Sequence, residues 1–175
     1  MSVPISKTIR LHEASALWAY FKDKDHLDCV TISGQTDQSA AELASLVFDQ
    51  QPAWVEFLMA LRNRIVKPLG LKTGHDGPFT IDDPQVESVG IREKIGLFEV
   101  FQQSDDEIVL GADDWHLDFR VGIRKSENRV QMASWVHPHN WIGRAYLTLI
   151  MPFHHLIVGQ SAKRMAVAMQ SREKR

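Results

Sequence analysis

Trp115-His116-Leu117-Asp118-Phe119-Arg120-Val121-Gly122-Ile123-Arg124 alternates without a break, and after Lys125-Ser126-Glu127-Asn128 a second run, Arg129 to His137, follows in the same manner. Successive side chains of an extended chain point to opposite faces. Trp115, Leu117, Phe119, Val121 and Ile123 therefore share one face of the first run, and His116, Asp118, Arg120, Gly122 and Arg124 share the other. From Trp141 the pattern changes to helical spacing: Ile142, Ala145, Tyr146, Leu149, Ile150, Phe153, Leu156 and Ile157 fall on one side, with Arg144, Thr148 and His155 opposite. Two antiparallel strands closed by a long helix predict an α+β fold with the helix on the apolar face of the sheet. Pro152 removes the donor that would reach the Thr148 carbonyl, so a kink is expected there.

Upstream, Val89 to Ile95, Phe98 to Gln102 and Glu107 to Leu110 are short β-like runs separated by turn residues, too close together for crossover helices. They extend the sheet as an antiparallel meander of about six strands, counting His26 to Ile32 as the first. Glu13 to Phe21 reads as a short helix. Two more short helices are expected after the first strand, one capped by Asp37 or Ser39 and running to about Phe48, the next starting at Pro52 and bearing Trp54, Phe57, Leu58, Leu61 and Ile65. Residues 70–88, rich in Gly, Pro, Asp and Thr, form a long loop, either a lid or an insertion. Residues 171–175 read as a disordered tail.

The 175 residues are 44% hydrophobic, enough for a single domain spanning 1–175. A net charge of -2 gives no general attraction to nucleic acid. Cys29 stands alone, which excludes an internal disulfide and a thiolate zinc cluster and fits the cytoplasm. The most apolar stretch, Trp141 to Val158, carries Arg144, Pro152, His154 and His155, so no membrane span is expected.

One strand, two helices, a long loop, an antiparallel meander and a closing helix resemble the START-like helix-grip arrangement, in which a curved sheet wraps the C-terminal helix. The resemblance implies a cavity for apolar ligands between the two. Leu17-Trp18, Leu27-Asp28-Cys29, Pro52-Ala53-Trp54-Val55, Leu61 to Leu71, Asp113-Asp114, His116 to Val121, His139-Asn140, Gly143 to Leu147, Pro152-Phe153-His154 and Leu156-Ile157-Val158 together resemble a bacterial family of domains of unknown function. Some of its members are fused behind a short-chain-dehydrogenase-like NAD-binding domain. The family implies no established catalytic residue. No strand of these 175 residues leads into a Gly-x-Gly-x-x-Gly turn, so no dinucleotide cofactor is expected.

The residues then give three readings. The first is a module binding a small apolar or amphipathic molecule against Leu117, Phe119, Val121, Tyr146, Leu149, Ile150 and Phe153, with no catalysis or only a weak activity. The second is an enzyme whose cavity is served by His116, Asp118 and Arg144, with Arg120, His137 and His139 as further polar candidates. The third is an interaction module for a separate dehydrogenase-like partner. His137 and His139 share a face in an extended chain, but Pro138 between them suits a turn into the helix with Asn140 as cap, and no metal is expected. The His116-Asp118-Arg120 face is either a solvated charge ladder or the mouth of the cavity.

Overall fold

A computed structural model of the chain describes residues 5–8, 10–22, 25–48, 94–96 and 98–172. The expected second helix at 52–67 and the long loop at 70–88 lie outside the described residues, as does the tail from 173. The strands are β1 (Ile5–Thr8), β2 (His26–Ser33), β3 (Lys94–Ile95), β4 (Phe98–Gln103), β5 (Glu107–Asp113), β6 (Leu117–Ser126) and β7 (Arg129–Pro138). The helices are α1 (Ala40–Phe48) and α2 (Trp141–Arg172). The fold is α+β and helix-grip-like, an open antiparallel sheet with a long C-terminal helix. All seven strands among the described residues join in the order β1-β2-β7-β6-β5-β4-β3. The count exceeds the expected six because β1, unmarked by any apolar run, precedes β2 and pairs with it from Ile5↔Ile32 to Thr8↔Cys29.

Ser39 caps α1, its hydroxyl accepting from the Glu42 N–H at 3.2 Å while the Glu42 carboxylate accepts from the Ser39 N–H at 2.7 Å. Leu43, Ala44 and Val47 are buried on β5 and β6. α2 runs unbroken through Pro152 and lies across β2 and β7. Val30, Ile32, Ile108, Leu110, Ile123, Val130 and Met132 from the sheet meet α1 and the C-terminal half of α2 in the main core.

The opposite face of the sheet is also covered. Leu11 and Leu17 pack there on Cys29, Val109, Ala133 and Trp135. The expected helix from Glu13 to Phe21 is reduced to one 3-10 turn, Ala16–Ala19. Hydrogen bonds to the sheet shape this segment more than amphipathic spacing does: Glu107 accepts from the Ser15 hydroxyl at 2.5 Å and the Ala16 N–H at 3.0 Å. Gln131 accepts from the His12 N–H at 2.8 Å and donates to the Arg10 carbonyl at 2.9 Å. Buried polar groups of the sheet thus add to the packing of Leu11 and Leu17 in fixing this segment.

Candidate functional site

The cross-strand register arranges the helix-facing side of the sheet in rows. Val30 lies opposite Met132, Met132 opposite Ile123 and Ile123 opposite Ile108, an entirely apolar row. The next begins with Asp28 opposite Ser134 and continues through Val121 and Leu110 to Val100. A third holds His26 opposite Val136 and Val136 opposite Phe119. Polarity therefore enters this face at one end of β2, under the N-terminal half of α2. Asp28 is 8% exposed and Ser134 6%. From α2, His154 Nε2 lies 3.7 Å from Asp28 Oδ2, and His155 Nε2 3.8 Å.

Closure follows the same gradient. In the C-terminal half of α2, Ala162, Met165, Ala166 and Met169 are buried. In the N-terminal half, Ile142, Tyr146, Ile150, Ile157 and Val158 are only half-buried, above half-buried Phe119, Val121 and Val136. The N-terminal half of α2 is thus less deeply buried than the C-terminal half, and the polar residues Asp28, Ser134 and His154 lie on the side of the sheet that it covers. Phe119 continues into an aromatic row, 5.4 Å from Phe98, which stands 5.2 Å from Phe48.

The start of α2 is fixed on residues Trp115 and His116. Asn140 caps the helix, its Oδ1 accepting from the Gly143 N–H at 3.0 Å, and its amide donates to the Trp115 carbonyl at 3.3 Å. The His116 carbonyl accepts from the His139 N–H at 3.0 Å. Gly143 permits this approach: a Cβ there would stand 2.0 Å from the His116 oxygen. The His116 ring lies edge to face with Tyr146 at 5.2 Å and is 1% exposed. Its Nδ1 is 3.3 Å from Asp114 Oδ2, and both ring nitrogens are buried without a hydrogen-bond partner.

The sequence alternation from Trp115 to Arg124 required correction at its beginning. Trp115 and His116 lie in a bend before β6, so His116 leaves the face it was expected to share with Asp118 and meets α2. Asp118 stays on the opposite face, where its Oδ2 is 2.9 Å from His139 Nε2. Arg144 is exposed on α2 and pairs with neither. His116, Asp118 and Arg144 are therefore not gathered into one site. Of the apolar candidates, Leu117 is buried, and Phe119, Val121, Tyr146 and Ile150 are half-buried. Leu149 (54% exposed) and Phe153 (40%) lie on the outer side of α2 with Leu156, so the buried stripe is rotated from the expected one.

The His116-Asp118-Arg120 face was expected to be either solvated ladder or cavity mouth, and Arg120 lies in neither. It is buried under the N-terminal segment, its guanidinium carbon 3.5 Å from the Phe101 ring centre and 4.9 Å from that of Tyr20, with Asp113 Oδ1 accepting at 2.5 Å. Beside it Asp25 accepts from Trp135 Nε1 at 2.7 Å, from the Lys22 N–H at 2.7 Å, and pairs with His137 Nδ1 at 2.5 Å. His137 stacks on Trp135 with ring centres 6.1 Å apart and lies 5.5 Å from His139. This second polar cluster mainly ties the 10–25 segment to β6 and β7. Asp28 and His154 fell within segments that carry the family resemblance, and Asp25 marked only the edge of a strand; their contacts join residues distant in sequence. Among the described residues no group of three or more His, Cys, Asp or Glu is arranged to hold a metal ion, and no helix is long and apolar enough to cross a membrane.

A family model described as "Protein of unknown function (DUF2867)" matches residues 19–161. The chain belongs to that family. No curated protein and no solved structure matches it.

Proposed function

We propose that this DUF2867 member is a START-like helix-grip domain that binds a small amphipathic molecule in the wedge between the sheet and the N-terminal half of α2. The observation that carries the reading is the graded closure of α2, with Ala162, Met165, Ala166 and Met169 buried but Ile142, Tyr146, Ile150, Ile157 and Val158 only half-buried, beside a sheet face that mixes Phe119, Val121 and Val136 with Asp28 and Ser134. Binding sites commonly combine apolar walls with a few placed polar groups. The apolar body of the ligand lies along Leu117, Phe119, Val121, Tyr146 and Ile150. Within this reading the protein works in the cytoplasm as a binding module without catalysis.

Thermal shift against uncharged amphiphiles of eight to twelve carbons tests it. A ligand present at a hundredfold excess over its Kd stabilises the protein by about 2.7 kcal/mol. Ile150→Trp, which fills the wedge, is expected to abolish the shift while the free protein keeps its cooperative unfolding. No shift with any chain length in the wild type, together with no co-purifying molecule in native mass spectrometry, overturns the reading.

A further inference from the structure

We propose that the outer face of α2 seats the domain on an anionic lipid surface, with the helix lying in the plane of the headgroups and not crossing the bilayer. Leu149, Leu156 and Val167 are 54%, 60% and 62% exposed, and Phe153 is 40% exposed. Spacings of four, seven and eleven residues are close to whole turns, so these side chains share one side of the helix. Trp141, 70% exposed, precedes them at its start. Apolar exposure continued along one element marks an interaction surface. The line from Trp141 to Val167 is about 40 Å long at 1.5 Å per residue, and α2 is unbroken over it, so the face fits a flat partner better than a small one.

Charge decides which partner. α2 carries Arg144, Lys163, Arg164 and Arg172 and not one Asp or Glu, although the chain as a whole has 22 acidic residues. The net charge of -2 thus conceals a helix that is cationic throughout. Arg144 and Lys163 are exposed. Lys163 falls seven positions after Leu156 and four before Val167, so its aliphatic stem lies along the apolar stripe with the ammonium at its end. The matching surface offers apolar depth beneath negative charge, which a bilayer with anionic headgroups does. An indole such as that of Trp141 settles at the boundary of the two. A second copy docked through the same face would set cation against cation, with no acidic residue on α2 to answer them. Spanning is ruled out for α2, because its other side packs on the sheet through Ala162 and Met165 and no described helix is apolar enough to cross.

Co-sedimentation of the full chain with vesicles of phosphatidylcholine, and with vesicles of equal parts phosphatidylcholine and phosphatidylglycerol, tests the proposal. Binding to the anionic vesicles is expected to be at least about tenfold tighter than to the neutral ones and to weaken as salt is raised. A variant carrying Leu149→Glu and Leu156→Glu is expected to lose vesicle binding while its Tm stays near that of the wild type, since both leucines are more than half exposed. Phe21→Glu, at an exposed aromatic of the N-terminal segment, is expected to bind as the wild type does. Binding to neither vesicle overturns the proposal, and equal binding to both overturns the charge selection on which it stands. Undiminished binding by the double variant, or loss of binding by Phe21→Glu, places the contact off α2 and overturns it as well. A dimer in sedimentation velocity that the double variant disperses overturns it in favour of a second copy. The wild-type vesicle series decides the matter even if the double variant fails to fold. Ligand binding under α2 is measured without vesicles, so either reading can fail and leave the other standing.

Discussion

Cys29 carries the clearest electrostatic signature among single residues. It is 1% exposed, and burial, with the charge of Asp28 as the lesser cause, pushes its thiol up from 9.0 to about 11. Between those values the unfolded chain has released the proton and the native chain has kept it. The Cys29 contribution is therefore fully present below pH 9 and is lost as pH rises through about 11. Urea titrations of wild type and Cys29→Ala should converge as pH climbs through that window, apart from a constant packing difference. Native Cys29 should react with a thiol reagent at pH 8 only at the rate of unfolding; reaction at the rate of a free thiol would show that burial does not protect it. At this scale the sequence was a partial guide. Alternation placed Leu117, Phe119, Val121 and Arg120 on their correct sides, but the bend at Trp115 and His116 depends on the landing of Gly143 upon it, a contact no local pattern records. Asp25 likewise marked only the edge of an apolar run, and its bond to Trp135 spans 110 positions.

Among the elements, α2 behaves as two helices in series. Its sheet-facing residues follow the row Ile142, Tyr146, Ile150, His154, Val158, Ala162 and Ala166, each four positions after the last. Such a row is inclined to the helix axis, so the face turned to the sheet rotates along the helix. The expected stripe of Ile142, Ala145, Tyr146, Leu149, Ile150, Phe153, Leu156 and Ile157 does not follow that rotation, so Tyr146, Ile150 and Ile157 lie on the half-buried side while Leu149, Phe153 and Leu156 lie outside. The unequal closure predicts unequal sensitivity. Met165→Ala, at 0% exposure among Ala44, Ile123 and neighbouring core residues, should cost about 2–5 kcal/mol. Ile150→Ala should cost about 1 kcal/mol or less, because the site is already half open. Denaturant titration of the two variants checks the difference, and equal losses would show that the two halves are packed alike.

For the whole molecule, the sheet is an inner layer with α1 and α2 on one side and the N-terminal segment on the other. The sheet and closing helix were legible because neighbouring strands of the meander are also neighbours in sequence. The second cover was not, since it depends on Glu107 and Gln131 reaching back to residues 10–16. The strand order has a further, kinetic meaning. β4 to β7 pair in sequence order through short turns, whereas β2 must find β7 across roughly a hundred intervening residues. Local hairpins close before distant strands, because the entropy of the long loop must be overcome first. In stopped-flow measurements Ile123→Val, within the meander, should slow refolding, and Val30→Ala, on β2, should chiefly accelerate unfolding. The reverse pattern would place β2 in the folding nucleus. Asp28 and His26 arrive with β2, so an intermediate holding only the meander lacks the polar groups of the proposed site, and on that proposal the last pairing to form decides when the protein becomes able to bind.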